Sequence, residues 1–146
     1  MTLREQAMNY LARREHSRAE LAQKLARKLA PDDEPEAIAA LLDQLEQENL
    51  LSNSRYAEAL AHSRAGRHGS VRLKSELRGK GVPEAILVEV VCQARDTDLA
   101  AARSVWLKKF GNPPVDAKER AKQQRFLLGR GFPPDVVRRV VGGEED

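Results

Sequence analysis

The chain has 146 residues, 41% of them apolar and 4% aromatic, with 25 Lys and Arg against 22 Asp and Glu. That length suits one domain or a few small units, and the abundance of Ala, Leu, Arg, Glu and Lys favours helix over strand. No stretch approaches membrane-spanning length, no apolar leader follows Met1, and the lone Cys92 rules out an internal disulfide, so a reducing, cytoplasmic setting is expected.

Nine helices are expected. The first opens at a capping box, Thr2-Leu3-Arg4-Glu5, with Leu3, Ala7, Tyr10 and Leu11 on one face. The second opens at Ser17-Arg18-Ala19-Glu20, buries Leu21, Leu25 and Leu29, and stops at Pro31. The third starts near Pro35 and buries Ile38, Leu41, Leu42 and Leu45. Ser52-Asn53-Ser54 caps the fourth, which carries Tyr56, Ala59 and Leu60. The fifth presents Leu73 and Leu77 and closes at Gly79 and Gly81, and Pro83 opens the sixth. Its run Ile86 to Cys92 is apolar, and Cys92 reads there as a small buried hydrophobe. The seventh spans Asp98 to Phe110 with Leu99, Ala102, Trp106 and Phe110 inward. Asp116-Ala117-Lys118-Glu119 caps the eighth, which buries Phe126 or Leu127, and Pro133 begins the ninth with Val136, Val137, Val140 and Val141.

The chain matches itself. Leu77-Arg78-Gly79-Lys80-Gly81-Val82-Pro83 returns 50 positions on as Leu127-Leu128-Gly129-Arg130-Gly131-Phe132-Pro133. Pro35-Glu36-Ala37-Ile38 is identical to Pro83-Glu84-Ala85-Ile86. Self-similarity at a fixed period marks a repeat architecture. The expected fold is all-α, an elongated curved array of three tandem three-helix repeats, over residues 1–51, 52–95 and 96–146, the last with a short acidic tail (Glu144, Glu145 and Asp146). Helices packed about 10 Å apart would make it on the order of 50–70 Å long. Such an array offers an extended surface rather than one deep pocket.

Charge is segregated. Asp32 to Glu48 holds seven acids and no Lys or Arg, whereas Arg103 to Arg139 holds ten basic residues against Asp116, Glu119 and Asp135. A basic surface facing a polyanion or an acidic protein follows from this pattern. Catalysis does not. His16, His62 and His68 share no metal-ligand spacing, and each reads as a helix cap or solvent contact. Gly66-Arg67-His68-Gly69 lacks the strand and the Lys-Ser/Thr of a phosphate loop, and Ser104 has no evident base. Asp43, Glu46 and Glu48 read as a solvated face. The chain is expected to need no cofactor and to be no enzyme.

Arg14 to Leu21 (REHSRAEL), Leu51 to Ala57 (LSNSRYA), Arg72 to Val82 (RLKSELRGKGV) and Arg130-Gly131-Phe132 together resemble, in order, the motifs of the RecX family. Ser70-Val71 departs from the Gly-Pro and added basic residue common at that point in the family. The resemblance implies three three-helix repeats that bind the RecA recombinase, and the free chain is expected to be a monomer. It implies a position in the groove of the RecA–single-stranded-DNA filament and inhibition of its recombinase, ATPase and coprotease activities. Candidate contacts to RecA or to DNA phosphates are Arg14, Arg18, Lys24, Arg27 and Lys28 in the first unit. In the second they are Arg64, Arg67, Arg72, Lys74, Arg78 and Lys80, and in the third Lys108, Lys109, Lys122, Arg125 and Arg130. Arginine suits the task because its planar fork can hold a carboxylate or phosphate with two bonds. The alternative reading is a nucleic-acid-binding protein of tandem helix-turn-helix units acting on DNA directly, with weak direct DNA binding compatible with either.

Overall fold

The computed structural model describes residues 1–142, so the acidic tail at Glu144, Glu145 and Asp146 lies outside the described residues. Nine helices are present among them: α1 Leu3–Arg13, α2 Arg18–Ala26, α3 Glu36–Gln47, α4 Asn53–Arg64, α5 Ser70–Gly79, α6 Glu84–Arg95, α7 Asp98–Lys109, α8 Ala117–Gly129 and α9 Pro134–Val141. Four helices start where a side-chain oxygen accepts an otherwise orphaned N–H: Thr2 from Glu5, Ser17 from Glu20, Ser52 from Arg55 and Asp116 from Glu119. The second helix ends at Ala26, earlier than the Pro31 expected. Lys28 N–H and Leu29 N–H bond to carbonyls only three residues back, and the Asp33 carboxylate takes the Ala30 N–H at 2.8 Å. Pro31 disfavours helical backbone at the residue before it, and the turn unwinds ahead of it.

The apolar faces close into three separate cores. Ala7, Leu21, Leu25, Ile38, Leu42, Leu45 and Leu51 form the first, within α1–α3 and the segment that follows. The second, in α4–α6, holds Tyr56, Leu73, Leu77, Leu87, Val90 and Val91. The third, in α7–α9, is built from Ala102, Val105, Leu127, Phe132, Val136, Val137 and Val141. Each triplet of helices is small, so the protein exposes 9096 Å². A compact monomer of this mass would expose roughly 7,500 Å². The excess is that of an extended array. Cys92 is exposed, contrary to the expectation of burial. Helix α6 buries Leu87, Val90 and Val91 and packs Ile86 and Ala94 partly against the same core, and the adjacent Val88 and Cys92 fall on its outer face.

The self-matching glycine segment is the coupling between units. At the first joint, the Ser17 hydroxyl donates to the Lys80 carbonyl at 2.7 Å, and the Arg18 N–H donates to Asn53 Oδ1 at 2.9 Å. At the second joint, the Gly69 N–H donates to the Arg130 carbonyl at 2.9 Å and the Ser70 N–H to Asp98 Oδ1 at 3.0 Å. The pattern is the same. The start of one unit's middle helix is capped by the next unit, through the carbonyl before its glycine turn and through the first residue of its leading helix. Gly81 and Gly131 carry positive φ (71° and 88°), which a side chain resists, and both backbones approach their neighbours closely. A Cβ on Gly81 would lie 2.6 Å from the Ala19 Cβ.

Ser70, which the sequence marks only as a departure from the family pattern, is part of this second joint. Both oxygens of the buried Asp98 accept from it, one from its N–H and one from its hydroxyl. Replacing Asp98 by alanine leaves two buried donors unmatched. The expected cost is about 1–3 kcal/mol, whereas Asp98→Asn should stay close to wild type because an amide can still accept from the N–H and pair with the hydroxyl. Thermal unfolding of both variants tests this, and equal loss in the two would show that the charge matters rather than the hydrogen bonds.

Candidate functional site

The candidate cations divide into two populations. Most of those in the first two units are engaged internally. The buried Glu20 carboxylate gathers Arg14 at 2.6 Å, Lys80 at 3.5 Å and Lys24 at 3.9 Å, across the first joint. Burial pushes the Glu20 pKa up, but the hydrogen bonds and charge of Arg14, aided by His16 and Lys80, outweigh it and bring it down to about 2. Arg18 pairs with Asp43 at 2.8 Å and with Glu46. Arg64 and Arg72 share Glu76 at 3.0 and 3.3 Å, and Arg78 meets Glu84 at 3.2 Å. The side chains of Asp43, Glu46 and Glu48 reach solvent, as those of a solvated face would, and take ion-pair partners there, the last of them Arg4.

His16 is buried, contrary to its expected place as a cap or solvent contact. Its Nδ1–H donates to the Arg14 carbonyl at 3.1 Å, and its Nε2 accepts from the Lys24 ammonium at 2.8 Å, which sets the neutral tautomer. Burial lowers its pKa, and the charges of Arg14 and Lys24 lower it further against the opposing Arg14 carbonyl and Glu20. Beside Glu20 lies a cleft of about 480 Å³ between the first two units, lined by Arg14, Tyr56, Leu60, Arg64, Glu76 and Lys80 among others. Its charges are largely matched by their neighbours.

The second population is unpaired. Arg67, Lys108, Lys109, Lys122, Arg125 and Arg130 make no salt bridge among the described residues, and neither do Arg27, Lys28 and Lys74. Arg27 and Lys28 are exposed at the end of α2, and Lys74 is half-buried on α5. Lys122 and Arg125 are exposed on α8. Arg103, Lys118 and Arg120, not among the sequence candidates, are likewise exposed and unpaired. Free positive charge is therefore concentrated on the third unit.

Four of the candidates converge. Arg67, Lys108, Lys109 and Arg130 line one notch of about 260 Å³ at the second joint, with Gly66, Val105 and Phe126 as its apolar wall. The Lys109 ammonium lies 5.3 Å and the Arg130 guanidinium 5.1 Å from the centre of the Phe126 ring, within cation–π range. Phe110 meets the same ring edge to face at 5.5 Å. Arg130 also donates to the Arg67 carbonyl at 3.1 Å, so the notch is tied across the joint. Next to it, His68 is held below its usual pKa by burial and then by the charges of Arg72, Arg130, Arg64 and Arg67, a sign of the positive field there. Phe126 is half-buried and faces the notch in part, where the sequence pattern offers it only as core.

Among the described residues, no group of His, Cys, Asp and Glu is placed to hold a metal, and no helix is long and apolar enough to cross a membrane.

Comparison with known proteins places these features in a family. The models of the first, second and third three-helix domains of RecX match residues 4–45, 52–90 and 96–141. The regulatory protein RecX of Ralstonia pickettii (strain 12J) is 47% identical over 147 residues, covering 100% of this chain and 90% of its own. That of Ralstonia nicotianae (strain ATCC BAA-1114 / GMI1000) is 48% identical over 145 residues, covering 99% and 89%. The crystal structure of RecX from Lactobacillus salivarius superposes with a TM-score of 0.79 over 97% of this chain and 93% of that one, at 18% identity, a likeness of fold. Three successive three-helix units joined by repeated glycine turns, together with full-length similarity to these proteins, show that the chain belongs to the RecX family.

Proposed function

We propose that this protein is a regulator of the RecA recombinase. It lies as a monomer in the groove of the RecA–single-stranded-DNA filament in the cytoplasm and inhibits recombinase, ATPase and coprotease activities without chemistry of its own. The observation that carries this reading is the extended array with its unpaired cations gathered on the third unit. An extended body presents many weak contacts along a polymer, and segregated charge orients it. The names of its relatives, regulatory protein RecX, support the same reading.

The geometry also orders the candidates. Arg14, Lys80 and Arg64 already satisfy internal carboxylates, so recruiting them to a partner costs a broken ion pair. Lys108, Lys109, Lys122, Arg125 and Arg130 carry no such cost. Adding the protein to RecA on single-stranded DNA should slow ATP hydrolysis at a ratio well below one per RecA protomer. A charge-reversed Lys122→Glu/Arg125→Glu variant should need about tenfold more protein for the same inhibition. Unchanged ATPase activity together with tight, sequence-specific binding of naked duplex would favour the direct DNA reader instead.

A further inference from the structure

The notch at the second joint has a chemistry more specific than a general basic face. Four cations surround it, and none of the residues lining it is acidic. Val105 and Phe126 give it an apolar wall. The two sides belong to different units, yet their relative position is held by backbone hydrogen bonds, Gly69 N–H to the Arg130 carbonyl at 2.9 Å and Val71 N–H to the Gly131 carbonyl at 3.0 Å. A site so braced loses little entropy on binding.

We propose that this notch binds an acidic peptide segment of a protein partner, with carboxylates on Arg67, Lys108, Lys109 and Arg130 and an apolar side chain against Val105 and Phe126. The proposal rests on the proposed function, in which the third unit carries the partner-binding face. Charge alone would admit nucleic acid as well. The layout of the site decides against it. Single strands are held by bases stacked on open aromatic faces along a groove that follows the backbone. In this notch one aromatic ring stands alone rather than in a row, and the cations cluster around one small cavity rather than tracking a strand. A carboxylate fits the free edge of a guanidinium with two parallel bonds, and neighbouring acidic residues of one short peptide can meet the two cations that share the ring.

The test uses the full chain without RecA. A fluorescein-labelled peptide of alternating Glu and Asp with one central Leu is titrated by anisotropy, beside a labelled oligothymidine of similar charge. Lys108→Glu/Lys109→Glu should lose at least about tenfold in peptide affinity. The charge-matched Arg103→Glu/Lys118→Glu variant, outside the notch, should bind the peptide within about threefold of wild type. Both variants alter exposed side chains, and circular dichroism checks that they fold. Equal loss in the two variants would mean a diffuse charge effect and would overturn the site. So would absence of peptide binding by the wild type, or loss of oligothymidine rather than peptide binding in the notch variant. RecA ATPase inhibition is measured separately with the same wild-type protein. Peptide binding without inhibition keeps the site and removes the filament reading, and inhibition without peptide binding does the reverse.

Discussion

Replacing Gly131 by alanine should destabilise the protein by on the order of 3 kcal/mol and uncouple the third unit from the second. Two effects combine. The residue sits at φ 88°, where a Cβ is strained. The same Cβ would fall 2.8 Å from the Arg72 nitrogen and 3.0 Å from its Cα, both backbone atoms with no room to move aside. Relief requires the joint to open, which breaks the bonds from Gly69 and Val71 and dismantles the cation notch. Gly129→Ala is the control, because a Cβ there meets nothing within 4 Å. Thermal unfolding of the two variants, with amide exchange at Gly69 and Val71, tests the expectation. Wild-type stability and protected amides in Gly131→Ala would show that close backbone approach at Gly131 does not hold the units together.

Acid should loosen the first joint before the second. Glu20 falls from an ordinary 4.5 to about 2 in the folded chain. A depressed carboxylate contributes stability above its unfolded pKa and loses it as pH falls through the folded value. For Glu20 this is up to about 3 kcal/mol, lost between pH 4.5 and 2. His16 acts in the same direction and starts earlier. Its folded pKa lies below the usual 6.5, so protonation on acidification opposes burial between Arg14 and Lys24. Asp98 at the second joint has the opposite sign. Burial raises its pKa against the hydrogen bonds of Ser70, so taking up a proton favours the folded form, and that joint gains rather than loses on acidification. Amide exchange followed from pH 6 to pH 3 should show Arg18 and Gly81 losing protection ahead of Gly69 and Ser70. Glu20→Gln should remove most of that difference, leaving only the His16 contribution. Simultaneous loss at both joints in the wild type would contradict the assignment.

Much of the architecture is legible in one dimension. Helix starts at Thr2, Ser17, Ser52 and Asp116 need only a short polar side chain three residues ahead of an orphaned N–H, a relation contained within one turn. The repeated Leu77–Pro83 segment announces the array for the same reason, since each copy must make the same turn. Its second role is not legible. Gly81 and Gly131 read as helix stops, but they also let one unit approach the next, and only the position of Ala19 and Arg72 across the joint reveals it. The surroundings of Cys92 and His16 escape the sequence on the same grounds. A local apolar run does not say which face of α6 finds a partner, and a loop position does not say that its side chain will be buried.

The basic candidates divide along the same line. Their identity and their excess toward the C-terminal third are properties of composition, and the amphipathic period places those within helices at a helix surface without further information, whereas Arg14, Arg27, Lys28, Arg67, Lys80 and Arg130 lie in the turns between helices. Whether a given cation is free depends on an acid that can be distant in the chain: Lys80 meets Glu20, sixty positions away, and Arg18 meets Asp43. Coulombic pairing follows distance in space, not in sequence. Helical units and their number are therefore written in local periodicity and turn chemistry. Which charges remain open to a partner, and the gathering of Arg67 with Lys108, Lys109 and Arg130 around one ring, arise only when the units are stacked.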